Sequence, residues 1–167
     1  TVGSEMDLLT ILEEAYRLEG AEDTWLAGLL EATAPQMLSS PHRAYAMTYD
    51  ARDPAQLRFG TIVTRNFPPG RGRQEIVASH AALAAADVER SFGRVACATA
   101  SQMFGADART KVGIAPWEVF DVRDTLGVNA LDPTGQGCVL VGLLTEPRAV
   151  DPATAETWAK IAAHIAA

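Results

Sequence analysis

The sequence predicts an α+β domain: one central antiparallel sheet of about five strands, with the N- and C-terminal helices on one face and crossover helices on the other. Three observations predict it. Residues 43–50 (RAYAMTYD) alternate strictly, with Tyr45, Met47 and Tyr49 on one side and Ala44, Ala46 and Thr48 on the other, which is the period of a strand. Residues 122–147 hold two Val- and Leu-rich runs, 126–131 and 138–144, around a break of Asp132, Pro133, Thr134, Gly135 and Gly137. Such runs around an Asp-Pro-x-Gly break read as a β-hairpin with a loop longer than two residues, because Pro pre-sets φ and Gly accepts φ > 0. Both ends of the chain carry apolar residues at helical spacing.

The 167 residues fit one domain spanning 1–167, and 48% hydrophobic residues suffice for a core. With 14 Lys and Arg against 21 Asp and Glu, the net charge is −7. That surface repels phosphate backbones, so the chain itself is a poor nucleic-acid binder. Cys97 and Cys138 lie in apolar company, and two cysteines are too few for a disulfide framework. Reduced thiols and a cytoplasmic location are expected. No run approaches the roughly 18 apolar residues of a membrane span, and no signal peptide opens the chain. Because the first residue is Thr, the start is expected to be trimmed or to carry added residues.

Taken in order, Ser4 is expected to cap a first helix carrying Met6, Leu8, Leu9, Ile11, Leu12, Ala15, Tyr16 and Leu18, ended by Gly20. Asp23 or Thr24 opens a second, with Trp25, Leu26, Leu29, Leu30 and Thr33 on one side; Pro35 kinks or ends it, and Ser39, Ser40 and Pro41 close it. After the 43–50 strand and a turn, residues 57–64 form a second strand, with Phe59, Thr61 and Val63 opposite Arg58, Gly60 and Ile62. Residues 67–73 are loop. Residues 75–92 read as the crossover helix, burying Ile76, Val77, His80, Leu83 and Ala84, with a break near Asp87. Residues 98–104 form a short helix capped by Thr99 and ended by Gly105. Residues 112–122 are ambiguous, with Trp117, Val119 and 120–122 able to form a strand. The last helix has Asp151 as N-cap, Pro152 at its first position, and Trp158, Ile161, Ala162 and Ile165 along one face. No terminator follows, so the helix is expected to continue in a longer protein.

This order resembles that of a GAF- or PAS-like sensor domain. Residues 124–142 (DTLGVNALDPTGQGCVLVG) and 146–167 (EPRAVDPATAETWAKIAAHIAA) resemble the end of the N-terminal sensor domains of bacterial LuxR-type helix-turn-helix regulators. Trp25 to Leu30 ahead of the 43–50 strand, and residues 98–105 (ATASQMFG), resemble the same group. The resemblance implies a sensor domain in transcription regulation. Its DNA contact would lie in a helix-turn-helix absent from this chain and expected soon after Ala167.

Other chemistries find less support. Gly135-Gln-Gly137 supplies two glycines of a dinucleotide fingerprint, but Leu140 stands at the third and the context is a hairpin. No GxSxG occurs, and Ser79 and His80 face different directions on a helix. His42, His80 and His164 lack metal-ligand spacing, so neither a metal nor a cofactor is assigned. His80 reads as a partly buried helix histidine. Arg71 and Arg73 before a helix are candidates for an anion, with a solvated loop the simpler reading. Glu118, Asp121, Asp124 and Asp132 have no spacing that brings two carboxylates together. No catalytic residue is assigned and no enzyme is expected.

What remains is a ligand cavity. Tyr45, Met47, Tyr49, Phe59, Thr61, Met103, Phe104, Trp117, Phe120, Asn129 and Cys138 mix aromatic and sulfur side chains with a few polar groups, the composition of a small-molecule pocket and also of an ordinary core. Asn129 is the most telling, because an amide in an apolar strand must hydrogen-bond something. The expected partners are a small effector and a second copy of the chain. Trp158, Ile161, His164 and Ile165 on the last helix are expected to carry the signal or the dimer contact, packing on the sheet or on a second subunit. The alternatives are an interaction module with a filled core and, third, an enzyme of unknown reaction.

Overall fold

The computed structural model describes residues 7–53, 55–81, 87, 95–108 and 115–167. The expected Ser4 cap, Leu83, Ala84 and the remainder of the crossover helix beyond 81, Asp87 excepted, lie outside these residues.

Helix α1 (Leu8–Ala15) is capped by Asp7, whose carboxylate accepts from Thr10 N at 3.1 Å and from its hydroxyl at 2.7 Å. It buries Ile11 and Ala15 but leaves Leu8, Leu9 and Tyr16 exposed, as it does Leu18 beyond its end. The broad apolar stripe is therefore half solvent-facing. Helix α2 (Glu22–Thr33) starts after Ala21, which makes no side-chain cap, so neither Asp23 nor Thr24 opens it. Both acids instead of a cap fall in its first turn, with Glu22 and Asp23 against the positive end of the helix dipole. Leu26, Leu29, Leu30 and Thr33 are buried, and the Trp25 indole donates to Ala15 O at 3.1 Å, tying α2 to α1. Pro35 leads into a 3-10 turn, Ala34–Gln36.

Strands β1 (Ala44–Asp50) and β2 (Arg58–Arg65) pair antiparallel. Their register shifts between Met47 and Tyr49, and the Thr48 hydroxyl accepts from Thr61 N at 2.9 Å. The extra residue overturns the expected alternation of β2. Phe59 and Ile62 pack on one face, whereas Val63 lies on the other and Thr61 donates its hydroxyl to Glu22 of α2. Helix α3 (Arg73–Ala81) follows the loop, in which Gly70 and Gly72 have φ of 76° and 106°.

The fifth strand is not where the sequence left room for one. Residues 115–120 form a 3-10 helix (Ala115–Phe120), and the strand is β3 (Cys97–Thr99), three residues long. Thr99 then caps the short helix α4 (Ala100–Phe104), with Gln102 completing a capping box. Strands β4 (Asp124–Leu131) and β5 (Gln136–Leu144) form the expected hairpin. Asp132 organises its turn, accepting from Thr134 N at 2.7 Å and Gln136 N at 3.2 Å, while Gly135 supplies a φ of 91°. Helix α5 (Pro152–Ala166) has Asp151 as N-cap, accepting from Thr154 N at 2.9 Å.

The sheet order is β2-β1-β5-β4-β3, with all pairs antiparallel, and its two faces carry separate cores. On one, α1, α2 and α5 bury Ile11, Leu26, Leu30, Trp158 and Ile161 against Ala44, Ala46, Leu126, Val128 and Leu140. The small β1 side chains let the helices approach. On the other, Ile76 of α3 and Trp117 cover Tyr45, Met47, Tyr49, Val139 and Val141. Among the described residues, no helix is long and apolar enough to cross a membrane.

Candidate functional site

The second face is where most of the candidate residues meet. Tyr45, Met47 and Tyr49 leave β1 on one side because a strand alternates, and their partners on β5 are Val141, Val139 and Gly137. Trp117 is 1% exposed and stacks on Tyr45, with ring centroids 5.7 Å apart and planes 23° from parallel. Phe120 and Phe67 extend the aromatic group, edge to face with centroids 5.5 Å apart. The Arg43 guanidinium lies 5.0 Å from the Phe120 ring centre and that of Arg71 lies 5.7 Å from it, within cation–π range. Phe59 adjoins this group and lies 6.0 Å from the His80 ring.

Two hydrogen bonds thread this apolar face. Tyr45 Oη is 2.8 Å from His80 Nε2, and Tyr49 donates its hydroxyl to Asn129 Oδ1. Burial holds both tyrosine hydroxyls above their ordinary pKa, offset at Tyr49 by the Asn129 bond. Burial also pushes the His80 imidazole down to about 4. At neutral pH, phenol, imidazole and amide are all uncharged here. The tyrosine rings are buried and these polar groups bond to one another, so the face is an aromatic core threaded by neutral donors and acceptors, the groups by which a site orients a small molecule of low charge.

The remaining four candidates lie elsewhere. Cys138 pairs with Ala130 and belongs to the core beneath α1, α2 and α5. Asn129 pairs with Val139, so residues 129 and 138 project from opposite faces. Thr61 was moved to that same helix-covered face by the β1–β2 irregularity. Met103 and Phe104 form a separate small cluster with Ala100 and Ala108. Conversely, the sequence reading passed over Phe67, Arg43, Val139 and Val141. The two valines were accessible from strand alternation, once the turn length had set which face Asn129 takes. Nothing local marks Phe67, which reaches Trp117 only through the path of its loop.

On α5, Trp158 and Ile161 are buried against this chain's own sheet, Ile165 packs beside them, and His164 is exposed with Nδ1 2.8 Å from Tyr16 Oη. The anion candidate before α3 is filled from within. Glu75 accepts from Gly72 N at 3.0 Å and from Arg71 Nη2 at 3.0 Å, holding its carboxyl below the ordinary range against the effect of burial. Asp124 and Asp132 sit at opposite ends of β4, roughly 25 Å apart at the rise of a strand. Among the described residues, no group of three or more His, Cys, Asp or Glu is placed to hold a metal ion.

Two surface clefts lie away from the aromatic face. One, of about 380 Å³, runs between Ser39–His42 and the end of β5, with Glu146 and Arg148 at its side. Its rim holds Ser39 and Ser40 at φ of 63° and 41°. The other, of about 180 Å³, is lined by Asp50, Arg52, Asp53, Gln56 and Arg58.

No protein-family model matches the chain, and no curated protein matches it. Among solved structures, it is similar to the photoproduct state of GAF3 from Slr1393 of Synechocystis sp. PCC6803, with a TM-score of 0.48 and 15% sequence identity, over 84% of this chain and 90% of that one.

Proposed function

We propose that this chain is a sensory domain that binds a small effector of low charge on the aromatic face of its sheet and relays the binding to its terminal helices. The observation that carries the reading is that the same three strands serve both faces. β1, β5 and β4 turn Tyr45, Tyr49, Val139 and Asn129 to the aromatic side, and Ala46, Leu140 and Val128 to the helices. A ligand that reorders Tyr45, Tyr49 or Trp117 shifts strands on which Trp158 and Ile161 rest. Such a ligand acts by differential affinity for two arrangements of those helices.

The likeness of residues 124–142 and 146–167 to LuxR-type sensor domains supports reading this relay as part of a bacterial transcriptional regulator, cytoplasmic and homodimeric, with DNA bound by a separate helix-turn-helix. The test is thermal unfolding of the chain against a broad library of neutral metabolites, followed by Tyr45→Phe and Asn129→Ala. Stabilisation by one compound class, weakened in both variants, supports the reading. No stabilisation by any compound sinks it.

A second reading is a protein-interaction module without a ligand. It is favoured by the burial of Met47 and Trp117 and by the exposure of Leu9 (68%) on α1 and of Leu18 (73%) just beyond it. A concentration-dependent dimer lost in Leu9→Glu or Leu18→Glu, together with a silent ligand screen, would favour it.

A further inference from the structure

Between β5 and α5 the chain runs through residues 145–151, all exposed except Val150. Apart from Val150, which is buried in the helix-side core, its polar hold on the domain comes from side chains of two other segments. Asp124, 0% exposed, accepts from Ser101 N at 3.1 Å and Thr125 N at 2.9 Å on Oδ1, and from Ser101 Oγ at 2.5 Å and Arg148 N at 3.0 Å on Oδ2. Thr99 Oγ1 donates to Arg148 O at 2.7 Å. Gln102 grips both sides of Val150: Oε1 accepts from its N at 3.0 Å and Nε2 donates to its O at 3.2 Å. The same Oε1 accepts from Thr99 N at 3.0 Å.

We infer that Asp124 and residues Thr99, Ser101 and Gln102 form a latch that couples α4 to the segment leading into α5, so that each end moves only with the other. The physical reason is the buried carboxylate. All its donors are neutral, and among the described residues no Lys, Arg or His forms an ion pair with it. A buried charge held by neutral donors cannot give up half of them without hydration. Ser101 supplies two of the four, and the Arg148 amide a third. Displacing α4 therefore removes two bonds from Asp124 and the Gln102 grip on Val150 together, which favours two discrete arrangements over gradual sliding. α4 carries the Phe104 cluster at the end of β3, while α5 crosses the helix-covered face. The latch joins them at the ends of β3 and β4, where Thr99 and Asp124 sit. The coupling is a property of the chain's own bonds and does not depend on an effector.

The test is reciprocal amide hydrogen exchange on the full chain. Phe104→Ala perturbs one end and Ile161→Ala the other. Phe104→Ala is expected to speed exchange at residues 148–155 about tenfold, and Ile161→Ala to speed exchange at 100–104 by a similar factor. Both remote effects should vanish in Asp124→Asn. Where Asp124→Asn fails to fold, Gln102→Ala takes its place, since it removes the Val150 grip and leaves the carboxylate intact. Remote effects that never appear, or that persist undiminished once the latch is cut, overturn the inference. Neither result bears on whether the aromatic face binds an effector, which the metabolite screen decides separately.

Discussion

Tyr49 on β1 and Asn129 on β4 share a hydrogen bond that passes across the strand between them. The passage exists because β5 carries Gly137 at that point. A Cβ there would lie 2.5 Å from Tyr49 Oη and 2.8 Å from Ala130 O. Gly137, one of two glycines at the spacing of a dinucleotide fingerprint, is the gap through which a tyrosine reaches an amide. It locks three adjacent strands at one level of the aromatic face.

Removing the bond and blocking the passage therefore differ in size. Tyr49→Phe keeps the ring and loses one hydroxyl, at a cost of about 1–2 kcal/mol. Gly137→Ala drives a methyl into the ring and into a backbone carbonyl, at a cost of about 3 kcal/mol. Urea unfolding of the two variants checks the ranking. Equal effects, or a silent Gly137→Ala, would show that the ring does not cross β5 in this way.

His80 makes stability depend on pH in a defined window. In the fold it protonates only near pH 4, against an ordinary value of 6.5. Between those values the unfolded chain binds the extra proton, so stability rises with pH. The contribution is fully present above about pH 6.5 and is lost as pH falls toward 4. It amounts to a loss of about 3 kcal/mol across the window. Asp50, whose carboxyl is held down to about 2 by Arg52, acts in a lower range. His80→Gln should flatten the profile between pH 6.5 and 4. Parallel profiles for variant and parent would contradict the assignment.

The two thiols should be inert in the fold. Burial pushes Cys97 and Cys138 up to about 12, from 9.0, which leaves roughly a thousandfold less thiolate at pH 8. Ellman titration of the native chain should be slow and should complete at once in denaturant. Rapid reaction of either cysteine in native buffer would place it at the surface.

Much of this molecule was legible in local pattern. The alternation of residues 44–50 needs no partner to be read, because the pleat alone sends Tyr45, Met47 and Tyr49 to one side. The same holds for the Asp132 turn and the Asp151–Pro152 start of α5, whose signals lie within four residues of the structure they specify. β3 was not legible, since three residues carry no period and its edge position comes only from pairing with β4. The 3-10 helix around Trp117 was missed for a related reason, its ring being placed by Tyr45 and Phe67 rather than by neighbours in sequence.

The sequence by itself determined two helix-covered stripes, a strand hairpin and an aromatic set on one side of β1, because helical and strand periods are properties of the backbone. Only the tertiary structure decided which of the candidate residues share a face. The Asp132 turn puts Asn129 opposite Val139 and so turns Cys138 away. The register shift at Thr48 sends Thr61 toward Glu22 rather than toward Phe59. In a sheet, a one-residue change of register exchanges the faces, and that residue is set by a partner strand that local sequence does not contain.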